Sequence, residues 1–97
     1  MERTEAIPIL KKHEAELKRL GVARLYLFGS TARGESREDS DVDLFFDHIR
    51  GELSLYGLMD IKELARRILG RPADIMTRSS LHPALRAEIE ASAVRVF

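Results

Sequence analysis

Two aspartates, Asp41 and Asp43, lie at the start of one short β-forming segment, "DVDLFFD". Because side chains alternate across a strand, both carboxylates would point to the same face, with their Cα atoms roughly 6.6 Å apart. Adjacent carboxylates repel each other, so the pair is costly unless the face is open to water or a cation lies nearby. Mg²⁺ prefers oxygen ligands of this kind, so the pair is interpreted either as metal ligands or as a solvated face.

A glycine and a serine, Gly29 and Ser30, close the preceding apolar segment, "ARLYLFGS". The next residues are typical of a short helix, with Ser30 as its predicted N-cap. A helix that begins directly after a strand directs free backbone N–H groups at one point, where they bind phosphate. Gly29 would let the backbone approach a ligand closely. We call Gly29 and Ser30 the phosphate seat, which is a prediction at this point.

A third carboxylate, Asp74, lies in the short apolar segment "PADIM". It faces opposite to Ile75 and would join Asp41 and Asp43 if its strand neighbours theirs. A strand-end aspartate in solvent is the alternative. The pair formed by the other two aspartates favours the shared site.

A candidate phosphate ligand, Arg33, falls about one helical turn after Ser30. It would be close enough to neutralise phosphate, and an exposed ion pair with Glu35 or Glu38 is an equal alternative. The three histidines show no metal-ligand spacing and are interpreted as surface or capping residues: His13, His48 and His82.

The elements that must position these residues follow from periodicity and from Gly and Pro. Their predicted order is helix 4–20, strand 23–29, a short helix from Ser30, strand 42–47, helix 53–69, strand 71–77, helix 82–92 and edge strand 93–97. Some connections are too short for a helical crossover. The pattern therefore predicts an α+β fold with a small mixed sheet and helices packed mainly on one face, in a single domain of residues 1–97.

One apolar stripe marks the core face of the helix at 53–69, and it consists of Leu58, Ile61, Leu64, Ala65 and Ile68. Tyr56 and Met59 fall outside this stripe and are candidates for a partner contact.

Composition excludes several classes of protein. The chain has 97 residues, 44% hydrophobic and 33% charged, with no cysteine and sixteen basic residues against sixteen acidic ones. A neutral net charge gives no overall field toward nucleic acid, so direct nucleic-acid binding is not expected. No segment is long and apolar enough to span a membrane, and the lack of cysteine suits a reducing compartment. A cytoplasmic location is predicted.

The segment "GSTARGESREDSDVDL" resembles the signature of the polymerase-β-like nucleotidyltransferases, in which Gly-Ser, ten residues and Asp-x-Asp follow one another. The fit is best to the minimal nucleotidyltransferases, small antitoxins of the MntA type that are encoded beside HEPN-domain toxins. It extends through "LYGLMDIKELARRILGRPADIMT" and "HPALRAEIEASAVRVF" to most of the chain from Leu25 onward. Further residues strengthen it: Ala32, Arg33, Gly34, Ser40 and Asp74.

This resemblance implies a polymerase-β-like fold and a metal site formed by Asp41, Asp43 and Asp74. The first two would bind the Mg²⁺ that carries the nucleotide and would share a second Mg²⁺ with Asp74, the best candidate for general base. Gly29 and Ser30 would then hold the β- and γ-phosphates. An attacking hydroxyl would reach the α-phosphorus in line and release diphosphate, so positioning and charge neutralisation supply most of the rate.

By the same resemblance, the predicted reaction is transfer of AMP from ATP to a tyrosine of a cognate HEPN-type ribonuclease toxin, which would silence it. One alternative is a non-catalytic antitoxin that blocks the toxin by occlusion, which the three carboxylates disfavour. Another is an antibiotic-type nucleotidyltransferase acting on a small molecule, although 97 residues leave no room for an acceptor domain. The predicted cofactor is one or two Mg²⁺ ions, and a homo-oligomer or a complex with the toxin is expected.

Overall fold

The protein is described by a computed structural model that covers residues 1–35, 41–49 and 53–97. In chain order its elements are α1 (Arg3–Lys12), α2 (Glu14–Arg19), β1 (Val22–Phe28), α3 (Gly29–Arg33), β2 (Val42–His48), α4 (Leu55–Leu69), β3 (Ala73–Thr77), a 3₁₀ turn (Arg78–Ser80), α5 (Pro83–Ser92) and β4 (Val94–Arg95). The predicted alternation of helices and strands is confirmed.

The sheet has the strand order β3-β2-β1-β4. β1 runs antiparallel to both β2 and β4, whereas β2 and β3 are parallel. A parallel pair requires a crossover, and α4 supplies it between β2 and β3. The sheet is therefore mixed, as predicted.

One face of the sheet builds the hydrophobic core. Val42, Leu44 and Phe46 alternate along β2 and are fully buried, together with Leu25 and Leu27 of β1. The predicted stripe of α4 packs on this face: Ile61, Leu64 and Ala65 are buried, and Leu58 and Ile68 are partly buried. Burial of this stripe is what holds α4 against the sheet.

The prediction of one helix over 4–20 was wrong, because α1 ends at Lys12 and α2 begins at Glu14. Between them the His13 N–H bonds to the Leu10 carbonyl at 3.1 Å, a tighter spacing than an α-helix uses. Leu10 and Leu17, on either side of the bend, are both fully buried. Apolar periodicity continues across the bend and therefore does not reveal it.

The opposite face of the sheet carries an aromatic and ionic cluster. Tyr26 stacks on Phe45 with ring centroids 4.8 Å apart, and the Arg78 guanidinium lies 4.8 Å from the Tyr26 centroid. Arg78 donates to Asp47 and to Glu90 of α5. This Arg78 cluster (Tyr26, Phe45, Asp47, Arg78 and Glu90) ties α5 to the sheet.

The last helix begins as predicted. Pro83 occupies its first turn, and the His82 ring accepts from the Ala84 N–H at 3.1 Å. This capping role is one of the two predicted for His82.

Candidate active site

Strand register brings two of the predicted carboxylates together. Asp43 of β2 is the partner of Phe28 on one side and of Asp74 of β3 on the other. Register partners lie on the same face of a sheet, so both aspartates lie on the face opposite to the core. Asp41 precedes β2 by one residue and by alternation shares that face. The structure thus places all three carboxylates at one end of the β2–β3 pair.

Gly29 packs directly against the Asp43 carboxylate. Its φ is +73°, a conformation that favours glycine, and a Cβ added there would overlap Oδ2 and lie 3.2 Å from Cγ of Asp43. The close approach therefore depends on glycine. It also brings the backbone of the phosphate seat next to the carboxylates.

The prediction of Ser30 as N-cap was wrong. The helix begins one residue earlier, at Gly29, and Phe28 occupies the cap position with an extended backbone. The left-handed backbone conformation of Gly29 turns the chain directly from β1 into α3, so the helix begins before Ser30 and without a side-chain cap. Ser30 lies in the first turn of α3, and its hydroxyl has no capping role.

Electrostatics separates Asp43 from an ordinary surface aspartate. Partial burial raises the pKa of Asp43, and the negative charges of Asp74 and Asp41 raise it further, whereas Arg33 lowers it. The Asp43 carboxylate is therefore repelled by Asp74 and Asp41 and attracted by Arg33. A bound cation would relieve this repulsion.

Arg33 fits both of its interpretations. Its charge acts on Asp43, and its Nε lies 3.3 Å from Oε2 of Glu35 in an exposed pair. Glu38 and Ser40, which the sequence analysis also named, lie outside the described residues.

The donor set suits Mg²⁺ in chemistry, since three carboxylates share one face beside backbone N–H groups that suit phosphate. Among residues 1–35, 41–49 and 53–97, no three acidic or imidazole side chains are already arranged around a point where a metal ion could bind. Binding an ion would therefore require the aspartate side chains to turn toward it.

One neighbour of this site, Phe28, was not predicted from the sequence. Phe28 faces the same side as Asp43 and packs against Phe45, with ring centroids 5.7 Å apart. It is therefore the β1 neighbour of Asp43 and contacts the Arg78 cluster through Phe45. An aromatic residue at a strand end carries no local signal of such a position.

Residues 10–96 match the family model of the nucleotidyltransferase domain. A Methanocaldococcus jannaschii protein named as a protein adenylyltransferase is 38% identical over 95 residues, covering 98% of this chain and 94% of that protein. The protein adenylyltransferase MntA of Thermococcus cleftensis is 40% identical over 74 residues, covering 75% of this chain and 74% of that one.

Solved structures agree. A minimal nucleotidyltransferase superposes with a TM-score of 0.76 at 32% identity, covering 97% of this chain and 95% of that chain. A toxin–antitoxin complex with AMP-PNP gives a TM-score of 0.71 at 18% identity, covering 90% and 72%, which shows a common fold. The chain belongs to the nucleotidyltransferase family, and its fold is that of the minimal nucleotidyltransferases.

Proposed function

We propose that this nucleotidyltransferase is a Mg²⁺-dependent protein adenylyltransferase that transfers AMP from ATP to a hydroxyl of a partner protein. The observation that carries the proposal is the register of Asp43 with Asp74, with Gly29 packed against the Asp43 carboxylate. This arrangement puts an anion seat and hard oxygen ligands side by side. Both are needed to bind a nucleotide triphosphate with its cation.

The phosphate seat binds the β- and γ-phosphates of ATP. Backbone N–H groups at the start of α3 point toward the anion, and the Ser30 hydroxyl donates to a phosphate oxygen. Arg33, whose charge already acts at Asp43, adds a cation on the same side. Together these groups hold the triphosphate in place for in-line attack.

Asp41, Asp43 and Asp74 would hold the metal, which when bound supplies charge neutralisation at the α-phosphate and at the leaving diphosphate. Asp74 lies on β3, on the far side of Asp43 from the Phe28 end of β1. We assign it to the acceptor side, where it takes the proton of the attacking hydroxyl. The acceptor oxygen then bonds to the α-phosphorus as the bond to diphosphate breaks.

The acceptor is a tyrosine of a cognate HEPN-type toxin. Two observations support a protein acceptor: relatives are named protein adenylyltransferases, and a structure of the same fold is a toxin–antitoxin complex with AMP-PNP. AMP on that tyrosine adds a phosphodiester charge and a bulky base to a cleft that receives RNA phosphate. Repulsion and occlusion would both keep the substrate out.

We further propose that the 97 residues form one domain that acts in the cytoplasm, in complex with this toxin. Among the described residues, no helix is long and apolar enough to cross a membrane. On α4, Leu55, Tyr56 and Met59 are 69%, 79% and 56% exposed, which agrees with the predicted role of Tyr56 and Met59 in a partner contact.

The test is to incubate the toxin with substoichiometric amounts of this protein, Mg²⁺ and ATP, and to weigh the toxin by mass spectrometry. We expect the toxin to gain one or more AMP masses and to lose ribonuclease activity. The matched control is Asp41→Asn, which should leave the toxin unmodified. An unmodified toxin that is inhibited only at equal stoichiometry, and equally by the variant, would establish occlusion instead.

A further inference from the structure

We infer that Arg3, the first residue of α1, is a positioning residue for the phosphate seat. Arg3 Nη1 donates to the backbone carbonyl of Ala32 in α3 at 3.0 Å, a contact between residues 29 apart in sequence. The inference rests on the proposed function, because it concerns how ATP is held. It adds a residue that lies outside the span 10–96 matched by the family model.

Helix α3 needs support from outside, because it has only five residues. A helix that short is not stable by itself in water. Its C-terminal end is closed by Gly34 with a φ of +74°, by a bond from Glu35 N–H to the Ser30 carbonyl at 2.9 Å, and by one from Gly34 N–H to the Thr31 carbonyl at 3.3 Å. These bonds form a Schellman motif.

The Schellman motif leaves the Ala32 carbonyl for another donor, and Arg3 supplies it. A guanidinium at a helix C-terminus also interacts favourably with the partial negative charge there. Arg3 therefore bonds to the last turn of α3 from a separate helix. Among the described residues, this is the hydrogen bond that connects the last turn of α3 to α1, and it would be lost without Arg3.

Packing continues this link into the core. Thr31 and Ala32 are 1% and 3% exposed, and Ala6, one turn after Arg3 in α1, is fully buried in the same hydrophobic cluster as Ala32. One side of α3 is thus fixed by apolar contact. The hydrogen bond from Arg3 adds a directional constraint, which apolar contact alone does not provide.

The other end of α3 is the phosphate seat itself. Because the helix spans only Gly29–Arg33, a tilt at its last turn moves the N–H groups of its first turn by a similar amount. Gly29 lies so close to the Asp43 carboxylate that an added Cβ would overlap Oδ2, so a shift of Gly29 also changes its position relative to this carboxylate. Small displacements of positioned groups cost much in binding and rate. Loss of the Arg3 bond should therefore weaken ATP binding while leaving the fold intact.

The experiment compares Arg3→Met, which keeps the aliphatic stem, with Arg3→Lys, which keeps one donor and the charge. We expect Arg3→Met to raise the KM for ATP roughly 3- to 10-fold with a smaller change in kcat, as suits the loss of one charge-assisted hydrogen bond. Arg3→Lys should have a KM for ATP close to that of the wild-type protein. The control is Arg66→Met on the exposed face of α4, which should change neither value.

Direct binding of Mg-ATP, measured by calorimetry with the melting temperature of each variant, separates the outcomes. A wild-type KM and ATP affinity in Arg3→Met would overturn the inference, and so would a lower melting temperature with unchanged affinity in the folded fraction. A wild-type protein that binds Mg-ATP but leaves the toxin unmodified would refute the proposed transfer only. A wild-type protein that binds no Mg-ATP would remove the phosphate seat and this inference together.

Discussion

Asp43 and Asp47 lie on the same strand and the same face, four residues apart, yet their surroundings differ in kind. Asp47 receives two hydrogen bonds from Arg78, at 2.8 and 3.1 Å, and that guanidinium also stacks on Tyr26 and Phe45. Asp43 instead faces the charges of Asp74 and Asp41, and among the described residues Arg33 acts against them. Within the part of the chain that the structure describes, the Asp47 carboxylate is paired with an arginine in two hydrogen bonds, and the Asp43 carboxylate has no such pair.

This difference is the one expected between a carboxylate that stabilises the fold and a carboxylate that binds a ligand. A partly buried carboxylate with a bidentate arginine completes a network and helps hold α5 to the sheet. A partly buried carboxylate among like charges lowers stability in the free protein, and such groups cluster where a ligand supplies the missing charge. Both aspartates lie on the same face of β2, so the difference between them comes from the charged side chains around them and not from their position on the strand.

The largest expected effect is on activity, in the pair Asp43→Asn and Asp47→Asn. Asp43→Asn should lower AMP transfer by roughly 10³-fold, since a bound metal supplies several kcal/mol and each 1.4 kcal/mol is a factor of ten. Asp47→Asn should keep most of the transfer rate of its folded fraction. Mass spectrometry of the toxin over time measures both. Equal losses in the two variants would contradict the distinction drawn between them.

Gly29→Ala is expected to reduce activity next most strongly, by roughly 10²-fold, because its Cβ would displace the Asp43 carboxylate and the phosphate seat. Gly70→Ala is the matched control. Gly70 has a similar φ of +66° but nothing within 4 Å of an added Cβ, so both variants carry the same backbone strain of about 1–2 kcal/mol. A fully active Gly29→Ala would show that the close approach is unimportant.

Arg78→Met should act on stability instead of chemistry. We expect a loss of about 1–3 kcal/mol in the free energy of unfolding, because the side chain is only 25% exposed and its removal leaves Asp47 without its guanidinium and Glu90 with Arg86 as its partner. Urea denaturation measures the loss. Arg86→Met is the control, because Arg86 pairs with Glu90 in a more exposed position and should cost much less.

A smaller effect concerns the pH dependence set by Asp43. Its pKa is raised in the folded protein, so the folded state holds this proton more tightly and stability falls as pH rises through the range above about 4. Asp43→Asn should remove this slope and gain well under about 1 kcal/mol at neutral pH, since solvent screens a partly exposed group. Melting temperatures against pH in the presence of EDTA test it. A variant with an unchanged slope would contradict the repulsion.

Glu90 should show the opposite sign. Its hydrogen bond with Arg86, and the nearby Arg78, lower the pKa of Glu90. Its contribution to stability is therefore present above the ordinary pKa of about 4.5 and is lost as pH falls through the lower folded value. Glu90→Gln should flatten the acid side of the same melting curve and leave AMP transfer unchanged. A steeper acid side would contradict this assignment.

Local patterns were sufficient for much of the fold. The α4 stripe around Ile61, the end of α4 at Gly70 and the start of α5 at Pro83 all follow from periodicity and backbone chemistry within a few residues. The common face of Asp41 and Asp43 follows from strand alternation in the same way. Each of these inferences needs only neighbours in sequence, and for that reason they were accessible.

The sequence alone thus determined which residues have the chemistry for a site: three carboxylates, a Gly-Ser turn and one arginine. Only the tertiary structure decided how they meet, through the parallel register that sets Asp74 beside Asp43. It also decided that Asp47 is neutralised by Arg78, 31 residues away, and that Arg3 bonds to Ala32. Strand register and contacts between distant residues depend on how the whole core packs, and no local pattern encodes that.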